Sequence, residues 1–245
     1  MRLLISEDDQ LHRSFIVEVS RGVLPDIEEL VETDNGQTAL DQFQKNPFDC
    51  VVLDLQMPHM TGVDVAKAIW ARHPQTRVLF WSNYSDEAYI RGITRIVPEE
   101  AVYGYILKSA PEDRLKLAIQ GVFLADQCVI DREVRGVQQR SADRVSSLTD
   151  VEFEALVDVS LGLTDKAMAA RRRVSLRGAQ SRLQHLYQKL GLDKSDAHVG
   201  PWGPTVNSRT RVISVAMSRG LLNADTLQQE EARLQKWLTS EEASS

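Results

Sequence analysis

Only two cysteines, Cys50 and Cys128, occur in the 245 residues. Thiols so far apart offer neither a metal spacing nor a disulfide framework, which suits a reducing compartment, and both are expected in the core. No apolar run approaches the roughly 20 residues needed to cross a bilayer. The opening run Met1-Arg2-Leu3-Leu4-Ile5 meets Ser6-Glu7-Asp8-Asp9 too early for a signal peptide, so a cytoplasmic protein with no membrane role is expected. Positive charge is also short: the net of −6, taken over the whole chain, argues against a nucleic-acid partner.

That deficit is unevenly spread. Residues 1–144 hold 16 Lys/Arg against 23 Asp/Glu, residues 145–222 hold 11 against 7, and residues 223–245 hold 2 against 5. All eleven bases of the middle block lie between Lys166 and Arg219, with only Asp193 and Asp196 among them. Such asymmetry is expected when one domain meets phosphate and the other does not. The length allows two ordinary domains, each with its own core.

Over the first ~125 residues, short β-rich apolar runs alternate with helix-period segments, the pattern of a parallel α/β sheet. Strands are expected at Leu3–Ser6, Glu29–Glu32, Cys50–Leu53, Val78–Trp81 and Val102–Leu107. Five strands fit a doubly wound, flavodoxin-like sheet with its crevice at the carboxyl ends of the strands. This domain is assigned to residues 1–126. A polar stretch of Arg, Gln, Ser and Asp from Asp131 to Ser147 marks an interdomain linker, assigned to 127–147.

Past Leu148 the strand signal is missing and helical periods take over, giving an all-α domain at 148–222. Thr149-Asp150-Val151-Glu152 reads as a capping box, Gly162 stops that helix, Thr164 caps the next, and Val174-Ser175 turns into a third. In the third helix Ala179, Leu183, Leu186 and Leu190 share one face and leave Arg177, Gln180, Ser181 and Gln184 outward. A last helix is expected at Ser208–Arg219. The acidic tail, 223–245, places Leu227, Leu234 and Leu238 at helical spacing with Trp237 beside the last; if a helix forms there it must dock on its own domain or a partner subunit, and a frayed polar tail is the alternative.

The chemistry concentrates at strand ends. Glu7 and Asp8 follow the first strand and Asp54 the third, and carboxylates converging there repel unless a hard divalent cation such as Mg²⁺ joins them. Ser82 and Lys108, at two further strand ends, supply a hydroxyl and a cation suited to phosphoryl oxygens. Together these make a site for placing phosphate on a carboxylate.

Glu7-Asp8, Asp54 within Val-Val-Leu-Asp-Leu-Gln-Met-Pro, Gly62, Ser82 and Lys108 resemble the receiver domains of two-component response regulators. The resemblance implies that Asp54 is the phosphoacceptor, attacking a phosphohistidine of a sensor histidine kinase in line. It implies Mg²⁺ held by the Asp8 and Asp54 side chains and the Gln56 carbonyl, with Glu7 acting through water. Ser82 and Lys108 would bind the phosphoryl group, and Tyr105 matches the aromatic switch position. The Ser82–Lys108 interval is longer than is usual in the family, so an unusual fourth helix or exit loop is expected around Ile93–Ala101.

Leu148-Thr149, Glu152, Gly162-Leu163-Thr164, Lys166, Ala169, Val174-Ser175 and Lys189-Leu190-Gly191 are similar to the NarL/LuxR (FixJ) class of helix-turn-helix domains. This implies a first motif helix at about Asp165–Arg172 and a recognition helix at about Leu176–Leu190, binding promoter DNA as a homodimer. Arg177, Gln180, Ser181 and Gln184 would face bases, since Arg suits guanine and Gln adenine. Lys166, Arg171, Arg172, Arg173, Arg182 and Lys189 would mostly meet phosphates. Residues 193–206, with Gly200-Pro201-Trp202-Gly203-Pro204, look like an insertion.

The expected function is a phosphorylation-responsive transcription factor, not an enzyme. A phosphorylation-independent regulator is one alternative, and a phosphate sink or protein-binding adaptor with a drifted helix-turn-helix is another. A small-molecule enzyme would use the same acidic pocket, but no second general acid or base is spaced to act on a released product.

Overall fold

The runs Leu3-Leu4-Ile5, Cys50-Val51-Val52-Leu53 and Val78-Leu79-Phe80-Trp81 are buried throughout, as strands covered on both faces must be. In the computed structural model, described over residues 1–136, 148–192, 199–200, 203–204 and 206–242, the chain forms two compact units. The first alternates strand and helix: β1 (Arg2–Ser6), α1 (Gln10–Val23), β2 (Glu29–Thr33), α2 (Gly36–Lys45), β3 (Cys50–Leu53), α3 (Gly62–Trp70), β4 (Arg77–Ser82), α4 (Glu87–Ile96), β5 (Tyr103–Leu107), α5 (Glu112–Phe123) and β6 (Val129–Ile130). All pairings are parallel, in the order β2-β1-β3-β4-β5-β6.

Period-two alternation splits the strands between two cores. Leu4, Val51, Leu53, Phe80, Tyr105 and Leu107 pack with residues of α2, α3 and α4 on one face. Leu3, Ile5, Cys50, Val52, Leu79, Trp81 and Ile106 pack with α1 and α5 on the other. Each fully buried Leu, Ile or Phe contributes about 1.5–3 kcal/mol.

The sheet has six strands, not the five expected. β6 is two residues long, too short for an alternation signal, and it falls in the stretch assigned to the linker. Asp131 and Val134, also given to the linker, are buried in this unit. The Asp131 carboxylate accepts a hydrogen bond from Leu107 N–H at 3.1 Å and pairs with Arg114 at 2.9 Å, tying down the end of β5. Residues 137–147 of the linker assignment lie outside the described residues. Cys50 is buried as expected, but Cys128, just before β6, is exposed.

The second unit is helical: α6 (Asp150–Ser160), α7 (Asp165–Arg171), α8 (Leu176–Lys189), α9 (Ser208–Ser218) and α10 (Ala224–Glu242). Each of α6 to α9 begins at a side-chain cap, namely Thr149, Thr164, Ser175 and Asn207. The Thr149–Glu152 capping box is complete, satisfying two orphan N–H groups at once. Gly162, at φ +80°, lets the chain leave α6 in the left-handed conformation that other residues adopt at a cost. Leu156, Leu186, Val212, Ala216 and Leu234 form the centre of the core. Of the insertion at 193–206, the described part includes a two-stranded antiparallel pair, Val199–Gly200 with Gly203–Pro204.

The C-terminal segment is a docked helix. Leu227, Leu234 and Trp237 pack on the core, and Glu230 pairs with Arg171 at 3.0 Å. Leu238, expected on that apolar face, points out and is 40% exposed; the inward row runs 227, 230, 234, 237. Among the described residues, no helix is long and apolar enough to cross a membrane.

Candidate functional site

The strand order reverses direction of growth between β1 and β3, and a crevice forms at the carboxyl ends flanking such a switch point. Register brings the acids level. Ser6 pairs with Leu53, and Asp54 N–H donates to the Ser6 carbonyl at 3.0 Å, so Glu7, Asp8 and Asp54 leave the sheet side by side. Their carboxylate oxygens lie within 4.8 Å of one another. Across the pairing of Ser82 with Leu107, Lys108 N–H donates to the Ser82 carbonyl at 2.9 Å and its side chain turns toward the acids. The loop after Asp54 is pressed close to α3. A Cβ on Gly62 would stand 2.1 Å from the Asp54 carbonyl oxygen, so glycine is required there.

Lys108 Nζ lies 2.9 Å from Asp54 Oδ2 and donates to Glu7 Oε1 at 2.8 Å. Glu7 Oε2 is 2.7 Å from the same nitrogen but off the hydrogen-bonding angle, and this buried oxygen has no hydrogen-bond partner. Burial pushes the Glu7 carboxyl up to about 7, the Lys108 bond opposing this and the Asp54 charge adding to it. For Lys108, burial works downward, but the charge of Asp54 and the bonds to both acids outweigh it and raise the ammonium above its ordinary value. Asp54 Oδ1 accepts from Leu55 N–H at 2.6 Å. One lysine thus serves two of three clustered carboxylates and leaves a buried oxygen spare, an all-oxygen set that fits a hard divalent cation.

Ser82 is fully buried beside this pocket, and its hydroxyl accepts from Tyr84 N–H at 3.4 Å. Tyr105 lies inward against Phe80 and donates its hydroxyl to the Tyr84 carbonyl at 2.6 Å. The serine and the aromatic therefore hold the same loop residue, Tyr84. α4 ends at Ile96, and Ala101 N–H closes a turn on the Pro98 carbonyl before β5.

In the second unit, α7 and α8 meet through a tight turn in which Arg173 takes φ +52°. Ala179, Leu183, Leu186 and Leu190 are buried, and Arg177, Gln180, Ser181 and Gln184 are exposed along the opposite face of α8. Lys166 and Arg173 are exposed near it.

Residues 3–120 match the family model described as the response regulator receiver domain. The chain is 29% identical over 200 residues to the transcriptional regulatory protein YdfI of Bacillus subtilis, covering 79% of this chain and 85% of that protein. It is 26% identical over 203 residues to the probable transcriptional regulatory protein NarL of Mycobacterium tuberculosis, covering 81% and 92%. The chain thus resembles response regulators: its first unit is similar to their receiver domain, and most of its length to transcriptional regulatory proteins. It also shares the fold of RcsB from Salmonella enterica serovar Typhimurium, solved on promoter P1flhDC with a phosphomimetic, at a TM-score of 0.58 and 15% identity over 91% of this chain and 99% of that one.

Several of the bases expected on phosphates have protein partners in the structure. Arg171 and Arg172 clamp Asp158, which is 0% exposed. Arg171 reaches Asp158 at 2.7 Å and Glu230 on α10, while Arg172 binds both Asp158 oxygens at 2.9 Å. Lys189 pairs with Glu152 at 2.8 Å, and Arg182 faces Glu154 at 3.8 Å. The reason is geometric: these bases sit on the sides of α7 and α8 that face α6, whose own acids await them. Arg209 was missed by the sequence reading; it pairs with Asp165 at 2.6 Å and reaches the Leu163 carbonyl, joining α9 to the start of α7.

The Lys189–Glu152 pair gives a pH signature. Burial would raise the Glu152 carboxyl, but the Lys189 bond and the Thr149 N–H prevail and hold it below the ordinary 4.5. A depressed value stabilises the fold above pH 4.5 and loses that contribution as pH falls through the native value. The difference in denaturation midpoint between wild type and Glu152→Gln, followed from pH 7 to pH 3, is therefore expected to shrink in the acid range.

Proposed function

We propose that this chain is a response regulator that takes a phosphoryl group from a sensor histidine kinase onto Asp54 and thereby controls promoter binding by its helix-turn-helix, acting as a homodimer. The observation that carries this reading is Lys108 Nζ held 2.9 Å from Asp54 within a cluster of three acids at the switch point of the sheet. Support also comes from the naming of YdfI and NarL as transcriptional regulatory proteins.

The Asp54 carboxylate attacks phosphorus, forming a P–O bond as the P–N bond to the donor imidazole breaks; the imidazole keeps that bond's electron pair and leaves neutral, its other ring nitrogen being protonated already in the donor. Asp8, Asp54 and the Gln56 carbonyl are the groups that would hold Mg²⁺, with Glu7 beside them acting through water. When bound, the cation neutralises charge on the transferring oxygens. Lys108 is within reach of an oxygen on phosphorylated Asp54, and Ser82, at the end of the neighbouring strand, would supply a hydroxyl to the same group. A move of Ser82 toward that group pulls on Tyr84, which Tyr105 also holds. This is the path by which the charge on Asp54 reaches the α4 side of the sheet.

On DNA, the exposed row Arg177, Gln180, Ser181 and Gln184 presents donors and acceptors suited to base edges, and Lys166 and Arg173 suit phosphates. Arg171, Arg172, Arg182 and Lys189 act from behind, shaping α7 and α8. Gln180→Ala is expected to cost about 1–3 kcal/mol on a specific site and little on random DNA, whereas Arg173→Ala should weaken both alike and flatten the salt dependence. Gel shifts on specific and random duplexes over a salt series check this; equal losses on both for Gln180→Ala would remove its base-reading role. The phosphoacceptor role is checked by hydroxylamine-labile phosphate after incubation with acetyl phosphate and Mg²⁺, expected in wild type and missing from Asp54→Ala.

A further inference from the structure

Lys108 is held by more than its two acids. Its Nζ lies 5.3 Å from the centroid of the Trp81 ring, over the ring's face, and 3.5 Å from His12 Nδ1. Trp81 is the last residue before Ser82 and points to the α1 face of the sheet, where it is almost fully buried. Its ring is fixed from two sides. Phe15 stacks on it with centroids 6.0 Å apart, and His12 meets it edge-on at 5.7 Å. His12 comes from the first turn of α1 and is anchored through its own N–H, which donates to the capping Asp9 at 2.9 Å. Its half-exposed ring also lies 3.8 Å from Glu7 Oε1. The ammonium therefore sits between carboxylates and an aromatic wall built from β4 and α1.

We infer that Trp81 and His12 are positioning residues for phosphoryl transfer, acting through Lys108. The inference rests on Asp54 being the phosphoacceptor. A cation over an indole face gains most where water is excluded, and this ring stays in place when the acids change partner. On phosphorylation the lysine must trade a carboxylate oxygen for a phosphoryl oxygen. The electrostatic hold of Glu7 and Asp54 is then redistributed, whereas the hold of the ring face is not. Trp81 and His12 keep the ammonium at the pocket throughout, so that Lys108 meets the developing charge without first being recruited from solvent.

The test is a kinetic cycle in the full-length chain with acetyl phosphate and Mg²⁺, comparing wild type, Trp81→Leu, Trp81→Phe and His12→Ala, each with and without Lys108→Ala. Trp81→Leu is expected to lower the maximal phosphorylation rate on the order of tenfold, with the half-saturating donor concentration little changed. Trp81→Phe, which keeps a ring face, should recover most of that loss. Both effects should vanish when Lys108 is alanine. In the metal-free protein, the Lys108 Cε–Hε NMR signal should show a ring-current upfield shift that Trp81→Leu removes. Equal slowing by Trp81→Leu with and without Lys108, or no recovery with phenylalanine, would overturn the inference. If Trp81→Leu does not fold, His12→Ala and Trp81→Phe decide: the first should slow the reaction only when Lys108 is present. Failure of wild type itself to take up phosphate would instead reject the phosphoacceptor reading.

Discussion

Asp158→Ala is expected to destabilise the C-terminal unit by about 3–5 kcal/mol, the usual consequence of removing one partner of a buried ion cluster. Asp158 is fully buried, and it accepts hydrogen bonds from Arg171 at 2.7 Å and from Arg172 at 2.9 Å through both oxygens. Alanine leaves two guanidinium groups in the gap between α6 and α7. Arg171 keeps only Glu230, and Arg172 keeps the longer 3.4 Å contact with Glu154. Burial already works against the Arg172 charge, and the Asp158 bond and charge are what raise its pKa above the ordinary value. Urea unfolding of the full-length chain, read by the hydrogen exchange of residues 150–189, checks the figure. A triple change, Asp158→Leu with Arg171→Leu and Arg172→Leu, should recover much of the loss, because a well-packed apolar replacement of a whole buried ion cluster is often close to neutral. A single-site loss under 1 kcal/mol would mean that the cluster is well solvated.

The same cluster shows where sequence reasoning stops. The face of α8 was legible because a 3.6-residue period sorts Ala179, Leu183, Leu186 and Leu190 from Arg177, Gln180, Ser181 and Gln184 without knowledge of the neighbours. Arg171 and Arg172 carry no such label: an arginine reads the same in a sequence whether it faces a phosphate or a buried aspartate on another helix. The acids and Lys108 were legible because each follows a strongly apolar strand, and a parallel sheet brings such ends together. β6 was not, since Val129-Ile130 spans a single alternation period and shows no repeat. Neither Trp81 nor His12 is singled out by the sequence, and only the packing of α1 beside β4 puts both against Lys108.

Lys108→Ala is expected to have the largest effect on chemistry, slowing phosphorylation of Asp54 by on the order of 10²–10³, the cost of removing a preorganised partner of developing charge. Two features of the pocket set the size. The ammonium is the positive charge that touches both Glu7 and Asp54, and it is itself only 4% exposed, so water cannot readily replace it. Loss of the lysine also leaves Glu7 buried with its opposing partner removed, which favours the protonated carboxyl still more. Stopped-flow phosphorylation at saturating donor and Mg²⁺ measures the change, and circular dichroism confirms that the variant is folded. A loss below tenfold would assign charge neutralisation elsewhere.

Control of DNA binding by a phosphoryl group on Asp54 depends, in the proposed function, on dimerisation: two linked helix-turn-helix units reach half-sites that one unit holds weakly. The direct measurement is sedimentation velocity paired with DNA binding to a genomic fragment that the protein retains, for wild type and Asp54→Ala, each with and without acetyl phosphate and Mg²⁺. The phosphodonor is expected to shift wild type toward dimer and to raise its DNA affinity, while Asp54→Ala responds in neither. If wild type takes up phosphate on Asp54 yet matches Asp54→Ala in both assembly and affinity, the switch is contradicted and a phosphorylation-independent regulator or a phosphate sink becomes the better account.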